Sequence, residues 1–356
     1  MHVFSTYLYC AILLLVMGCS NETPEQQLTN DYIQRIENVL GEKIEEPILT
    51  SSLPALPPQR LRYREITTIK EGMFDVLDLG RCNLLSLIAA RNSSLGAVAP
   101  PSQRLSYEIQ FHTLLKRCLP SIEKDDSLSQ KSKLRIFAIY EIKEQNLPAV
   151  FWNALYTGQE IEASLALNLS PLSLNKKNHS NYFRAMRKLF SVTEMTLGKQ
   201  IPPDSHSLKK LEESYAALYH DPLGTPLLKS LLLLESTLNR AADLINARLM
   251  RRPLCFQGMT NPKANILKNV FTEYYARQLQ PYLANVHFIG EQWFGIHEQT
   301  LKFLPIPSQV APYVSQVFLR DSNESIWNRY INARNKHTDA WQEILSQCNL
   351  MPNNNK

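Results

Sequence analysis

Apolar residues recur at Leu231, Leu234, Leu238, Ala241, Ile245 and Leu249, at steps of 3, 4, 3, 4 and 4, with charged residues beside them. That period puts all six side chains on one stripe of an α-helix, and so continuous a stripe has to be buried against other helices. Comparable runs occupy residues 28–40, 66–95, 102–119, 128–145, 182–197, 208–219, 266–279, 282–303 and 325–350. Pro54, Pro57, Pro58, Pro100, Pro101, Pro202, Pro203 and Pro222 punctuate them, since proline withholds an N–H and restricts the residue before it; Pro148 reads as the start of a further short helix. Glycine is scarce, 11 in 356 residues, which disfavours collagen-like chains, Gly-rich phosphate-binding folds and turn-dense β-barrels. No repeat of solenoid period occurs. The pattern predicts an all-α, multi-helix bundle of roughly nine to eleven helices. Its body spans residues 28–356, with two halves meeting near the polar, Pro171-bearing stretch 165–180.

The N-terminus carries an address. Tyr7 to Met17 is an apolar run too short for a membrane span of about 20 residues but suited to the core of a signal peptide. It leads into Val16-Met17-Gly18-Cys19, which resembles a bacterial lipobox; the other reading is an ordinary secretory signal that ends near a cysteine. A lipobox implies removal of residues 1–18, acylation of Cys19, and residues 19–27 as a polar tether. Two or three acyl chains anchor stably where one is marginal. Ser20, where Asp would signal retention at the inner membrane, implies the outer membrane, with the body on the periplasmic face.

Once Cys10 leaves with the signal and Cys19 is acylated, Cys82, Cys118, Cys255 and Cys348 remain. An oxidising compartment favours disulfides, and three pairings exist on paper. Cys82 with Cys118 and Cys255 with Cys348 is favoured, because each bond then closes within its own half. A metal site is the rival reading, but there is no Cys-x-x-Cys and no histidine at ligand spacing.

No motif assigns a reaction. There is no dinucleotide fingerprint, phosphate-binding loop or Gly-x-Ser-x-Gly elbow, and no Glu is followed three residues later by His. No catalytic residue, metal or cofactor is assigned. A net charge of +5 without a basic block disfavours nucleic acid. Four constellations carry weaker signals. Asp75, Asp78 and Cys82 share a helix face with Arg81 nearby, more simply a salt-bridged surface than an acid–base pair. Arg60, Arg62 and Arg64 follow the Pro-rich stretch and suit anionic phosphates, or internal pairing. His287, Glu291 and Glu298 share the face of an aromatic stretch with Phe288, Trp293 and Phe294, more simply a packed core. Most informative are Arg334 and His337, which interrupt the seam Trp327, Tyr330, Trp341, Ile344 and Cys348. A buried Arg there needs a neighbouring carboxylate or a ligand anion.

The lipobox, the Pro-rich strap into Arg60-Leu61-Arg62-Tyr63-Arg64, the Gly80-Arg81-Cys82-Asn83 step and the paired cysteines together resemble a gammaproteobacterial lipoprotein family, domain-of-unknown-function family 3080. The resemblance implies an envelope address and a disulfide-bearing body, and it transfers no catalytic residue. The expected role is binding or scaffolding: a membrane partner through the lipid anchor, and an envelope protein or peptidoglycan as the second partner. An enzyme on envelope lipid or glycan, or a carrier of an apolar ligand, are the alternatives.

Overall fold

The computed structural model describes residues 22–43, 52–69, 73–175, 178–199, 201–203, 207–208 and 210–351; the signal segment and Cys19 lie outside them. The α-helices are Pro24–Leu40 (α1), Gln59–Arg62 (α2), Met73–Asp78 (α3), Leu85–Asn92 (α4), Ser94–Ala97 (α5), Pro101–Glu123 (α6), Gln130–Tyr156 (α7) and Gln159–Ser164 (α8). Ser180–Thr193 (α9), Leu211–His220 (α10), Gly224–Arg251 (α11), Pro262–Asn269 (α12), Gln280–Leu301 (α13), Ala311–Val317 (α14) and Ile326–Ser346 (α15) follow. Eleven of these have seven residues or more, and the fold is all-α, with one antiparallel bridge, between Phe256 and Met259, among the described residues. Among the described residues no helix is long and apolar enough to cross a membrane.

The predicted seam of α11 lies at the centre. Leu231, Leu234, Leu238, Ala241 and Ile245 are fully buried, where α11 packs against both α15 and α1. Helix α13 approaches α15 at Gly290: a Cβ there would come within 2.4 Å of the Trp327 ring, so only glycine admits the indole. This principal core draws residues from Tyr32 to Cys348, from both sides of 165–180. The expected division at 165–180 is therefore not where the cores separate. That stretch is tied down instead, with the Leu172 N–H directed at Pro226 O (3.2 Å) and Ser230 Oγ (2.8 Å). The second core is smaller and lies wholly within residues 79–139, around Leu79, Leu84, Phe111, Leu115, Ile136 and Ile139.

Local chemistry moves several expected boundaries. Helix α1 starts at Pro24 rather than Leu28, inside the expected tether. Thr23 Oγ1 accepts from Gln26 N–H (3.3 Å), Gln26 Oε1 accepts from Thr23 N–H (2.9 Å), and Pro24 needs no partner for an N–H it lacks. The run 66–95, read as one helix, is broken by Asn83 in the left-handed region (φ 58°) and by Ser93, whose hydroxyl caps α5. The apolar period survives in part: Leu79, Leu84, Leu87 and Ile88 still pack into the core around Phe111 and Leu115, while Leu77 stands exposed. Conversely α7 continues through Pro148. The lost hydrogen bond is outweighed by burial of Leu147, Val150, Phe151 and Trp152 on either side.

The Pro-rich segment is a strap along α7. Asn153 Oδ1 accepts from Arg64 N–H and Asn153 Nδ2 donates to Arg64 O, both at 2.8 Å. Three residues further along the strap, Asn146 makes the same pair of bonds with Thr67 N–H (3.1 Å) and Thr67 O (2.9 Å). Two asparagine amides seven residues apart on one helix face thus do for an extended chain what a neighbouring strand would do.

Candidate functional site

The most distinctive local geometry joins the C-terminal helix α15 to a widened stretch of helix. Between α12 and α13 the chain keeps winding, but over Val270–Leu279 it does so as a π-helix. Pro281 supplies the cause. It has no N–H for the carbonyl four residues back and its ring crowds that carbonyl, so the turns before it open, and Gln280 N–H reaches Tyr275 O five residues back. Insertions of this kind recur at functional sites because they re-aim side chains.

Here the wide turns turn Phe271 and Tyr275 toward α15. Their ring centroids lie 5.5 Å apart, Phe271 is 5.1 Å from Trp341, and Tyr275 is 4.7 Å from His337. Together with Leu345 and Met351 these rings line a pocket of about 290 Å³, rimmed by the exposed polar residues Gln280, Thr338 and Gln342. No lining residue is charged at neutral pH. The volume falls at the lower end of the range for small-ligand sites.

At the floor His337 is completely buried. Trp341 Nε1–H points at both Tyr32 Oη (2.8 Å) and His337 Nε2 (3.1 Å), and Tyr32 Oη lies 2.7 Å from that same Nε2. An indole nitrogen only donates, so Nε2 has to be the unprotonated, accepting nitrogen, with Tyr32 giving it the hydroxyl proton. The ring proton then sits on Nδ1, which is buried and meets no acceptor. Burial pushes the His337 pKa down to about 3, so the ring is neutral in its working range, and burial likewise pushes the Tyr32 hydroxyl well above its ordinary value. What the arrangement offers is one N–H donor, fixed in tautomer and without an acceptor, on a ring that lines the pocket. Leaving such a donor unmet costs on the order of 1–3 kcal/mol.

Arg334, three residues earlier, behaves differently from the sequence expectation. It is only half-buried, and Nη1 lies 3.3 and 3.4 Å from the two ring nitrogens of His287, against neither a carboxylate nor the pocket. His287 in turn stacks on Trp327; burial and then Arg334 hold its pKa below the ordinary histidine value. Glu298, expected beside His287, instead holds Arg320, accepting from its main-chain N–H (2.6 Å) and its Nε (2.8 Å).

The three arginines of the strap are separated by the fold. Arg60 is exposed, Arg64 half-buried, and Arg62 buried, donating to Pro57 O (2.8 Å), Tyr156 O (2.5 Å) and Glu162. Arg62 is thereby an internal clamp, and the three do not converge on one anion site. Arg81 pairs with Asp125 at 2.6 Å rather than with Asp78. Cys82 and Cys118 are bonded, as are Cys255 and Cys348, with Cα–Cα distances of 5.3 and 5.2 Å. Among the described residues no group of three His, Cys, Asp or Glu is placed to hold a metal ion.

A second polar cluster, which sequence reading missed, lies inside the principal core. Tyr156, Tyr182, Tyr215, Glu160 and His297 surround a cavity of about 20 Å³, room for about one water and too small for a substrate. Tyr156 Oη lies 3.0 Å from His297 Nδ1, and Trp293 Nε1 donates to Tyr182 Oη at 3.0 Å. Burial holds the His297 pKa at about 3 and raises that of Glu160. Tyr32, Phe271 and Tyr275 were missed as well. Tyr32 lies 305 residues from its partner His337, and the π-register that aims the other two leaves no mark on a helical-period count.

Fold and site define an all-α chain with two disulfide-closed cores and an uncharged, aromatic pocket beside a π-helical segment. Over residues 29–352 it matches the family described as "Protein of unknown function (DUF3080)", and the chain belongs to that family. No curated protein and no solved structure matches it.

Proposed function

We propose that this is a lipid-anchored binding module of the bacterial envelope, held at the outer membrane through Cys19 with its helical body in the periplasm, and that the aromatic pocket seats an uncharged, acceptor-bearing group of its partner. One observation supports the pocket as the site: the His337 Nδ1–H is buried, fixed in tautomer by Tyr32 and Trp341, and unmet. Aromatic walls with an amide and hydroxyl rim suit the C–H faces and hydroxyls of a glycan, so peptidoglycan is the favoured partner. The anchor is supported by the lipobox and the pocket by this geometry, independently of each other. Both halves are tested in cells. Cys19→Ser should lose labelling by an alkyne fatty acid, and undiminished labelling would defeat the anchor. A photocrosslinking residue at Gln342 should capture glycan strands; a Gln342 adduct with protein alone would replace the glycan with a protein partner, and the absence of any adduct would defeat the pocket.

A further inference from the structure

Away from the aromatic pocket, a groove of about 550 Å³ runs between the strap, α4, α6 and α7. Ile66, Ile69, Ile88, Phe111 and Ile139 form an apolar wall, Thr67, Thr68 and Asn92 a polar one, and the groove's volume falls within the range of small-ligand sites. The roof is not sealed. Helices α4 and α5 contribute no fully buried residue, while Leu85, Leu95 and Val98 stand exposed around them.

Three cations line this groove, and they are not equivalent. Lys143 is compensated: its ammonium lies 2.9 and 2.8 Å from the two oxygens of Glu108 and over the rings of Phe111 and Tyr107. Arg91 and Arg104 are not compensated. Arg91 Nη1 donates to Gly96 O at 2.6 Å and Arg104 Nη2 to Ala97 O at 3.2 Å, both neutral carbonyls on α5. Among the described residues neither guanidinium meets a carboxylate, and Arg104 Nε is buried without an acceptor. Gly96 is what lets the short helix come so close, since a Cβ there would lie 2.3 Å from Ala90 O and 2.5 Å from Arg91 O. The fold thus brings two under-used guanidiniums, from α4 and α6, to a cavity that also carries a wall of isoleucine and phenylalanine.

We infer that this groove binds a single-chain acidic amphiphile, its acyl chain lying along Ile66, Ile88 and Ile139 and its anionic head group between Arg91 and Arg104. A forked guanidinium matches the two oxygens of a carboxylate or a phosphate, and the apolar walls gain by covering hydrocarbon. A neutral lipid would leave both charges unmet, and a small anion would leave the walls wet.

The test uses the full chain reconstituted in phosphatidylcholine vesicles and photolabelled with three diazirine-bearing probes: a fatty acid, its methyl ester and a lysophosphatidic acid. Peptide mapping should place adducts on 63–69, 85–92 or 136–143, with the ester labelling at least about tenfold less than the better acidic probe. A stronger carboxylate signal identifies a fatty acid as the ligand, and a stronger phosphate signal a lysophospholipid. Arg91→Gln/Arg104→Gln should lower acidic-probe labelling by about tenfold or more with the melting temperature retained. Competition in the unaltered protein guards against misfolding of that variant: dodecanoate should displace the acidic probe and dodecanol should not. Equal labelling by acid and ester, equal competition by alcohol, or adducts confined to the exposed Leu95 face would overturn the inference. Adducts at Phe271 or Trp341 would overturn it too, and would leave the aromatic pocket to be judged on its own experiment.

Discussion

The two cores solve the same problem with unequal means. The principal core buries the whole stripe of α11 along with Trp152, Trp293, Phe294, Phe318 and Tyr330, and its Cys255–Cys348 bond ties the end of α15 to the segment after α11. The smaller core has few fully buried residues, and above it lie helices that bury none completely. There Cys82–Cys118 joins a 3₁₀ turn to α6. A small unit that cannot bury enough apolar surface leans on a cross-link, whereas a large one gains from the cross-link without depending on it. A loosely covered groove is found over the small core, whereas the cavity among Tyr156, Tyr182 and His297 inside the large core is the size of one water.

The disulfides test that contrast most strongly. Their loops span 36 and 93 residues, and restricting the unfolded chain that far contributes on the order of 4 kcal/mol in each case. Cys255→Ser/Cys348→Ser should lower global stability by about that amount in urea unfolding, with the native contacts of the principal core retained. Cys82→Ser/Cys118→Ser should instead raise amide exchange across residues 73–139 while α11 and α15 stay protected. Loss of protection in α11 in the second variant would show that the two cores unfold as one unit.

Arg62 links the strap to the principal core, so Arg62→Ala leaves the carbonyls of Pro57 and Tyr156 without their donor and should cost about 2–4 kcal/mol. Arg60→Ala, at an exposed position of the same turn, should stay within about 0.5 kcal/mol. Equal effects on the chemical-denaturation midpoint would contradict the placement of Arg62 as a clamp.

Acid should act chiefly on the principal core. His297 and His337 are held near pKa 3 by burial, against an ordinary value of 6.5. Between those values the unfolded chain binds two protons that the folded chain refuses, so stability falls as pH falls through that window, by about 2 kcal/mol per histidine at pH 5. His337→Gln should remove roughly half of the pH dependence of the denaturation midpoint. An unchanged slope would mean that His337 is charged in the fold.

Arg334 is the seam position where a small effect is expected. Half-buried and resting on the neutral ring of His287, it should cost no more than about 1 kcal/mol on replacement by Ala, and His287 should then titrate closer to its ordinary value by NMR. A loss of several kcal/mol would restore the buried carboxylate partner that its position on the seam implies.

Local periodicity determined a good deal by itself. The stripe 231–249, the helical runs on either side of it and the all-α class follow from side-chain spacing, because a stripe of the right period can be buried in only one kind of local structure. Spacing also drew attention to His337, since a histidine among Trp, Tyr and Ile on one face has to be accommodated. Tertiary structure alone decided which seam residues were buried: Arg334 and His337 share a periodic pattern, yet one reaches the surface across His287 and the other is sealed beneath Tyr32. It also decided that Arg62, and not Arg60 or Arg64, turns inward, because the acceptors it reaches, Tyr156 O and Glu162, lie 94 and 100 residues away in the chain. The meeting of Phe271 and Tyr275 with α15 and that of Arg91 with Arg104 belong to the same category. Each depends on contacts between segments far apart in the chain, and a local period carries the phase of one helix relative to itself, not relative to its neighbours.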